Sequence, residues 1–205
     1  MDTSFLPILN GFKFQNRFEK NWPNRFIKIL LGNSAYGLCG GMVFSALDYF
    51  LEGKSIITTS KIVDLEPDYI RHLWKRQFAS MPVRNYFLLA SGTFQKDSTL
   101  LTNTFNKEIP KVIESINQNL PAPIIIIRSK KLENPMDNHQ ILLTGYDIKG
   151  PITNFTSYDP NHPLKTTYLT VNRKSREENI TQSTGEFVRG FFLNCYDNKK
   201  QFSRN

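Results

Sequence analysis

The sequence predicts an α+β fold in which helices come first along the chain and a mostly antiparallel sheet follows. Before Pro121, apolar residues recur at the spacing of amphipathic helices, whereas after it the chain has short runs of β-branched and aromatic residues typical of strands. Hydrophobic residues make up 40% of the 205 positions, which is enough for one sizeable core. No repeat or long low-complexity tract marks a linker. We therefore expect residues 1–205 to form a single domain.

Three helices are expected in the first part of the chain. The first should begin near Cys39 or Gly40 and end before Gly53, because the apolar residues of this stretch recur at helical spacing. The second should span Pro67–Ala79, where the proline suits the first turn and the apolar side chains form a stripe. The third should lie near residues 108–120.

Strands are expected in the second part and near the beginning of the chain. Residues 11–18 have phenylalanines at even positions with polar residues between them, which is the period of a strand with one buried face. Residues 124–127 form a β-branched run that suits a strand buried on both faces. Residues 91–106, rich in Thr, Ser and Asn, are expected to form a loop that could act as a lid. The remaining strand-like segments are residues 139–146, 154–158, 166–171 and 187–196.

The chain is basic, with 26 Lys and Arg against 18 Asp and Glu and a net charge of +8. This charge permits attraction to anionic partners but does not identify one. The basic run at residues 71–76 alternates with apolar residues on a predicted helix, which is typical of a solvated face. Since no RNA- or DNA-binding motif accompanies it, we expect no nucleic-acid partner.

No segment of the sequence is long and apolar enough to span a bilayer. The longest apolar runs, at residues 26–31 and 122–127, are far shorter than the roughly 20 residues that a membrane helix needs. Residues 1–12 lack the basic region and continuous apolar stretch of a secretory signal. A cytoplasmic location is therefore expected, with non-classical export as an effector left open.

The two cysteines, Cys39 and Cys195, are too few for a disulfide framework, although a single bridge is formally allowed. A free, reactive thiol at Cys39 fits the sequence better, since glycines surround it and a helix begins there. Cys195 lies in an apolar strand-like segment and is expected to be structural.

Three short motifs contain one thiol, one imidazole and one carboxylate. They are Tyr-Gly-Leu-Cys-Gly-Gly-Met at residues 36–42, Asn-His-Gln at 138–140 and Tyr-Asp-Pro-Asn at 158–161. A helix N-terminus and a neighbouring imidazolium both lower the pKa of a thiol, so Cys39 would be a nucleophile. His139 would be its general base and acid, and Asp159 would orient the imidazole.

Several alternatives remain open for these residues. Asp159 and the residues that follow it have the composition of an ordinary turn. His162 is a rival for His139, whereas His72 lies in a predicted amphipathic helix and suits a structural role. Neither the Cys-x-x-Cys nor the His-x-x-x-His spacing occurs, so no metal and no other cofactor is expected.

The order Cys, His, Asp, with the Cys opening the first long helix, resembles the papain-like cysteine peptidase superfamily. The nearest likeness is to the peptidase domains of bacteriocin-processing ABC transporters and to related uncharacterised bacterial papain-like proteins, in which the third residue is an Asp followed by Pro, as at Asp159 and Pro160. The resemblance implies a papain-like fold in which the nucleophile helix packs on the C-terminal sheet. It also implies Cys39 as nucleophile, His139 as base and Asp159 as orienter.

The family also uses a side-chain amide six residues before the nucleophile as an oxyanion donor. That position is Asn33, where the family has Gln. A second departure follows the nucleophile, where Cys-Gly-Gly-Met-Val stands in place of the Cys-Gly-Ser-Cys-Trp common in papain-type peptidases.

The function expected from residues and resemblance together is a thiol hydrolase that acts on an amide or peptide bond of a peptide or protein substrate through an acyl-enzyme at Cys39. One alternative is a catalytically silent papain-like module that binds a peptide or an anionic partner. The other is a toxin or effector domain that uses the same triad for deamidation or transamidation. The sequence predicts no oligomeric state.

Overall fold

The computed structural model describes residues 1–18, 36–129, 137–175 and 178–196. Within these ranges, helices precede a six-stranded antiparallel sheet, so the predicted α+β class is confirmed. None of the helices in the described ranges has both the length and the apolar character needed to cross a membrane.

The described part of the chain contains six α-helices, together with a 3-10 turn at Ile62–Asp64 and a π-helical turn at Thr104–Glu108. The first two predicted helices are confirmed, and the third is shorter than predicted. The α-helices are α1 (Pro7–Asn10), α2 (Cys39–Leu51), α3 (Pro67–Ala79), α4 (Val83–Phe94), α5 (Asp97–Asn103) and α6 (Ile109–Asn117).

The prediction of a loop at residues 91–106 is wrong, because α4, α5 and the π-helical turn occupy this stretch. The sequence pattern of α4 is misleading since its large apolar residues lie on both faces, with Leu89 buried and Phe87 exposed. Gly92 also disfavours a helix by propensity, yet it lies against Phe192, whose ring would be 2.7 Å from an added Cβ. Tertiary packing therefore stabilises a helix that local composition does not predict.

The six strands are arranged in the order β5-β4-β3-β2-β1-β6, and each neighbouring pair is antiparallel. All the strands predicted after Pro121 are present, and the last of them is shorter than predicted. The strand β5 was not predicted, because three residues are too few to show alternation. Every residue of β1 is buried, as predicted for a strand covered on both faces. The strands are β1 (Ala122–Ile127), β2 (His139–Lys149), β3 (Ile152–Tyr158), β4 (Thr167–Asn172), β5 (Ile180–Gln182) and β6 (Gly190–Leu193).

The strand predicted at residues 11–18 is wrong, although its buried phenylalanines are confirmed. Only Phe18 makes a bridge, with Tyr36, and other backbone groups of the segment pair outside the sheet. The N–H of Asn16, for example, donates to the carbonyl of Pro160 at 2.9 Å. The segment covers the core from one side without joining a ladder.

The sheet has a hydrophobic cluster on each face. Along β2, alternate side chains point to opposite faces, so Leu142 packs with α2, α3 and the N-terminal phenylalanines, whereas Ile141 and Leu143 pack with α6. The helix that begins at Cys39 is therefore held against one face of the sheet.

A buried ion pair joins the two helices of this face. Arg76 of α3 donates to Asp48 of α2 at 2.8 Å, and the hydroxyl of Tyr196 donates to the same carboxylate oxygen at 2.5 Å. The guanidinium also lies 5.2 Å from the ring centroid of Phe44. Arg76 is 1% exposed, so the prediction that residues 71–76 form a solvated face is wrong at this position.

Replacing Arg76 with Met should lower the free energy of unfolding by about 3 kcal/mol, because it leaves the buried Asp48 carboxylate without its cation. Urea denaturation measures this loss. Arg71→Met is the matched control on the same helix, since the Arg71–Asp68 pair is 66% and 80% exposed and should contribute little. Equal losses in the two variants would contradict a special role for the buried pair.

Candidate active site

Cys39 is the first residue of α2, where helix geometry leaves backbone N–H groups without intrahelical acceptors. The residue is partly exposed, and its thiol is hydrogen bonded to the imidazole of His139. The backbone N–H groups of Gly40 and Gln140 also donate to the sulfur. The N-terminus of the helix and the start of β2 thus meet at one sulfur atom.

The glycines after Cys39 serve packing rather than access. Gly40 lies against a buried polar cluster in which Gln140 donates to Ser80 at 3.1 Å and Asn194 donates to Gln140 at 2.8 Å. An added Cβ on Gly40 would lie 2.5 Å from the side-chain nitrogen of Gln140. Gly37 is exposed, and an added Cβ there would lie 2.8 Å from the side-chain nitrogen of Asn16.

His139 opens β2, where it pairs in register with Ile126 of β1. The ring is 4% exposed, and its Nε2–H donates to Oδ1 of Asp159 at 2.7 Å. This leaves Nδ1 for the thiol of Cys39. The antiparallel pairing of β2 and β3 brings His139 and Asp159 together, as the sequence predicts.

Asp159 follows β3 directly and has no exposed surface. Its Oδ1 also accepts from the backbone N–H of Asn161 at 2.8 Å, and its Oδ2 accepts from Nε2 of Gln182 at 2.7 Å. The turn that composition predicts is present after β3. The side chain of its first residue, Asp159, is hydrogen bonded to His139.

The electrostatics of the three residues favour a charged thiolate and imidazolium. Burial alone would lower the pKa of His139, but the charge and hydrogen bond of Asp159, together with Cys39, raise it to about 9. Burial likewise would raise the pKa of Cys39, but the hydrogen bond and charge of His139 bring it below its ordinary value of 9.0. For Asp159, the imidazolium outweighs burial and lowers the pKa. Both shifts favour the thiolate and imidazolium over the neutral thiol and imidazole.

Asn16 connects the segments that carry the nucleophile and the carboxylate. Its Oδ1 accepts from the backbone N–H of Leu38 at 2.5 Å, and its Nδ2 donates to Asn161 at 2.9 Å. Leu38 precedes Cys39, and Asn161 lies two residues after Asp159. The sequence gives no signal for this role, because the two partners of Asn16 lie far from it along the chain.

An open cleft of about 410 Å³ lies beside these residues. Gly37 and Asn161 line it, and they lie two residues from Cys39 and Asp159 along the chain. The other lining residues are Gln15, Asn16, Arg17, Tyr36, His162 and Glu186. Cys39 is partly exposed, whereas His139 and Asp159 are buried.

The structure places the other sequence candidates elsewhere. His162 lies in the cleft, with Nε2 at 3.1 Å from Glu186, and His72 is buried against the hydroxyl of Ser45 at 3.0 Å. Cys195 is exposed and contacts Arg84, so the expectation of a strand residue is wrong, since β6 ends at Leu193. Asn33, the candidate oxyanion donor, lies outside the described residues.

In the part of the chain that the structure describes, no three His, Cys, Asp or Glu side chains are grouped as a metal site requires. Both cysteines are free thiols. Comparisons of the chain with protein-family models, curated proteins and solved structures give no match. The residues of the site are therefore the basis for any functional inference.

The rate of iodoacetamide alkylation at Cys39 should rise with pH around a midpoint below the ordinary thiol value of 9.0. In His139→Ala the midpoint should move up, because burial then opposes ionisation without an imidazolium to offset it. Peptide mass spectrometry resolves Cys39 from Cys195, which serves as the internal control. The ion pair would be ruled out by a midpoint that is ordinary in the wild type and unchanged in the variant.

Proposed function

We propose that this chain is a papain-like thiol hydrolase that cleaves an amide or peptide bond through a covalent acyl-enzyme at Cys39. The observation that carries the proposal is the hydrogen-bonded series from Cys39 through His139 to Asp159, with the sulfur at the N-terminus of a helix. Thiol hydrolysis needs a nucleophile, a base that contacts it and a third group that orients the base. These three residues meet each requirement.

In the acylation step, the Cys39 thiolate attacks the carbonyl carbon of the substrate and a C–S bond forms. The backbone N–H of Cys39, the first of α2, is a donor for the developing oxyanion. The His139 imidazolium then gives its Nδ1 proton to the leaving nitrogen, and the C–N bond breaks. An amine leaves, and a thioester remains on Cys39.

In the deacylation step, neutral His139 takes a proton from a water molecule, which attacks the thioester carbonyl. The C–S bond breaks, a carboxylic acid leaves, and the thiolate and imidazolium are restored. Asp159 keeps Nδ1 of the ring directed at the sulfur in both steps through its bond to Nε2 at 2.7 Å. An amine in place of water would give transamidation by the same steps.

Peptides are the proposed substrates. The proposal is supported by the open cleft, which is lined by Gly37, two residues before Cys39, and by Asn161, two residues after Asp159. The cytoplasm is the proposed location.

Acylation can be tested without knowing the natural substrate. The wild-type chain should react with p-nitrophenyl acetate to release nitrophenol and should carry an acetyl group on Cys39 in peptide mass spectra. Cys39→Ala should abolish this signal, and His139→Ala should slow it by about 10²- to 10⁴-fold, because the thiolate then loses its partner. Cys195→Ala is the matched thiol control and should react like the wild type.

A library of peptides then distinguishes cleavage from deamidation or transamidation by the masses of the products. Acetylation of Cys39 at the rate of Cys195, together with no product from any peptide, would contradict the hydrolase. Peptide binding that survives Cys39→Ala in that case would support the catalytically silent module instead.

A further inference from the structure

A fourth side chain contacts the series of hydrogen bonds at its buried end. The carboxylate of Asp159 is directed by His139 at Oδ1 and by Gln182 at Oδ2, with both distances at 2.7 Å. The backbone N–H of Asn161 also donates to Oδ1, and Gln182 is the side chain that holds Oδ2, so it restricts the rotation of the carboxylate. Gln182 is itself 5% exposed, and the bond is shielded from water.

Arg128 determines which way the amide of Gln182 points. Its guanidinium donates to Oε1 of Gln182 at 2.8 Å. Since a guanidinium has only donors, the oxygen of the amide must face Arg128 and the nitrogen must face Asp159. A rotated amide would place its donors against the guanidinium and its oxygen against the carboxylate.

Arg128 is also tied to the strand that carries the imidazole. Its backbone N–H donates to the side chain of Asn138 at 2.9 Å, and Asn138 directly precedes His139. The end of β1, the start of β2, the end of β3 and the last residue of β5 therefore meet around one carboxylate.

We propose that Gln182 is a positioning residue of the Cys39 site, which fixes the carboxylate of Asp159 against His139, and that Arg128 acts through it by orienting its amide. The inference rests on the proposed thiolate chemistry. It adds to that chemistry a cationic group two hydrogen bonds away from the carboxylate, which stabilises the negative charge of Asp159 through the polarised amide.

Other charged groups also lie near the carboxylate and its supports. The charge of His162 acts on Asp159, and the charge of Arg128 acts on Glu186, which is paired with His162. Gln182→Met leaves these charged groups unchanged, whereas Arg128→Met also removes the charge that acts on Glu186.

Gln182→Met removes both hydrogen bonds while keeping the length of the side chain. The midpoint of Cys39 alkylation against pH should then rise by roughly one pH unit, because Asp159 loses a donor and supports the imidazolium less well. Arg128→Met leaves the amide in place and should shift the midpoint in the same direction by less. Thr181→Val, on the neighbouring exposed position of β5, is the matched control and should shift nothing.

A merely structural role for Gln182 would lower the melting temperature without moving the midpoint, and that result would overturn the inference. If Gln182→Met does not fold, Arg128→Met decides, and an unchanged midpoint in it overturns the inference equally. An ordinary midpoint in the wild type would instead contradict the proposed function. The two failures are therefore distinguishable.

Discussion

The buried hydrogen bond between His139 and Asp159 is the interaction on which the rest of the site depends. Both side chains are almost completely removed from water, and a buried carboxylate is stable as a charge only when its oxygens are satisfied. The fold supplies a donor to each oxygen from a different segment of the chain. The lowered pKa of the Cys39 thiol is one consequence of this arrangement, because Asp159 raises the pKa of the imidazole that contacts the thiol.

The two halves of the chain meet through polar contacts as well as through the hydrophobic core. On one side of the sulfur, the cluster of Ser80, Gln140 and Asn194 lies against Gly40 and joins the end of α3 to β2 and β6. On the other side, Asn16 connects the residue before Cys39 with the turn after Asp159. Buried polar networks of this kind specify one arrangement of the segments they join, since any other leaves donors unpaired.

Local sequence patterns predict the α+β class, α2 and α3, and the three residues that the structure brings together, because each depends on neighbours a few positions away. Gln182 and Asn16 could not be predicted in the same way. They are ordinary polar residues whose partners lie far along the chain, and β5 is too short to show a period. The errors have the same origin: residues 11–18 alternate like a strand but pair with loops, and α4 is stabilised by contacts such as Gly92 with Phe192.

The order of strands has a consequence for the synthesis of the protein. The strand β1 pairs with β6, and Oδ2 of Asp159 accepts a hydrogen bond from Gln182. The site that contains Cys39 therefore depends on residues late in the chain. During synthesis Cys39 is made well before these partners, and domains assemble only when their distant segments are available. The complete set of hydrogen bonds around Asp159 can therefore form only after β5 has been made.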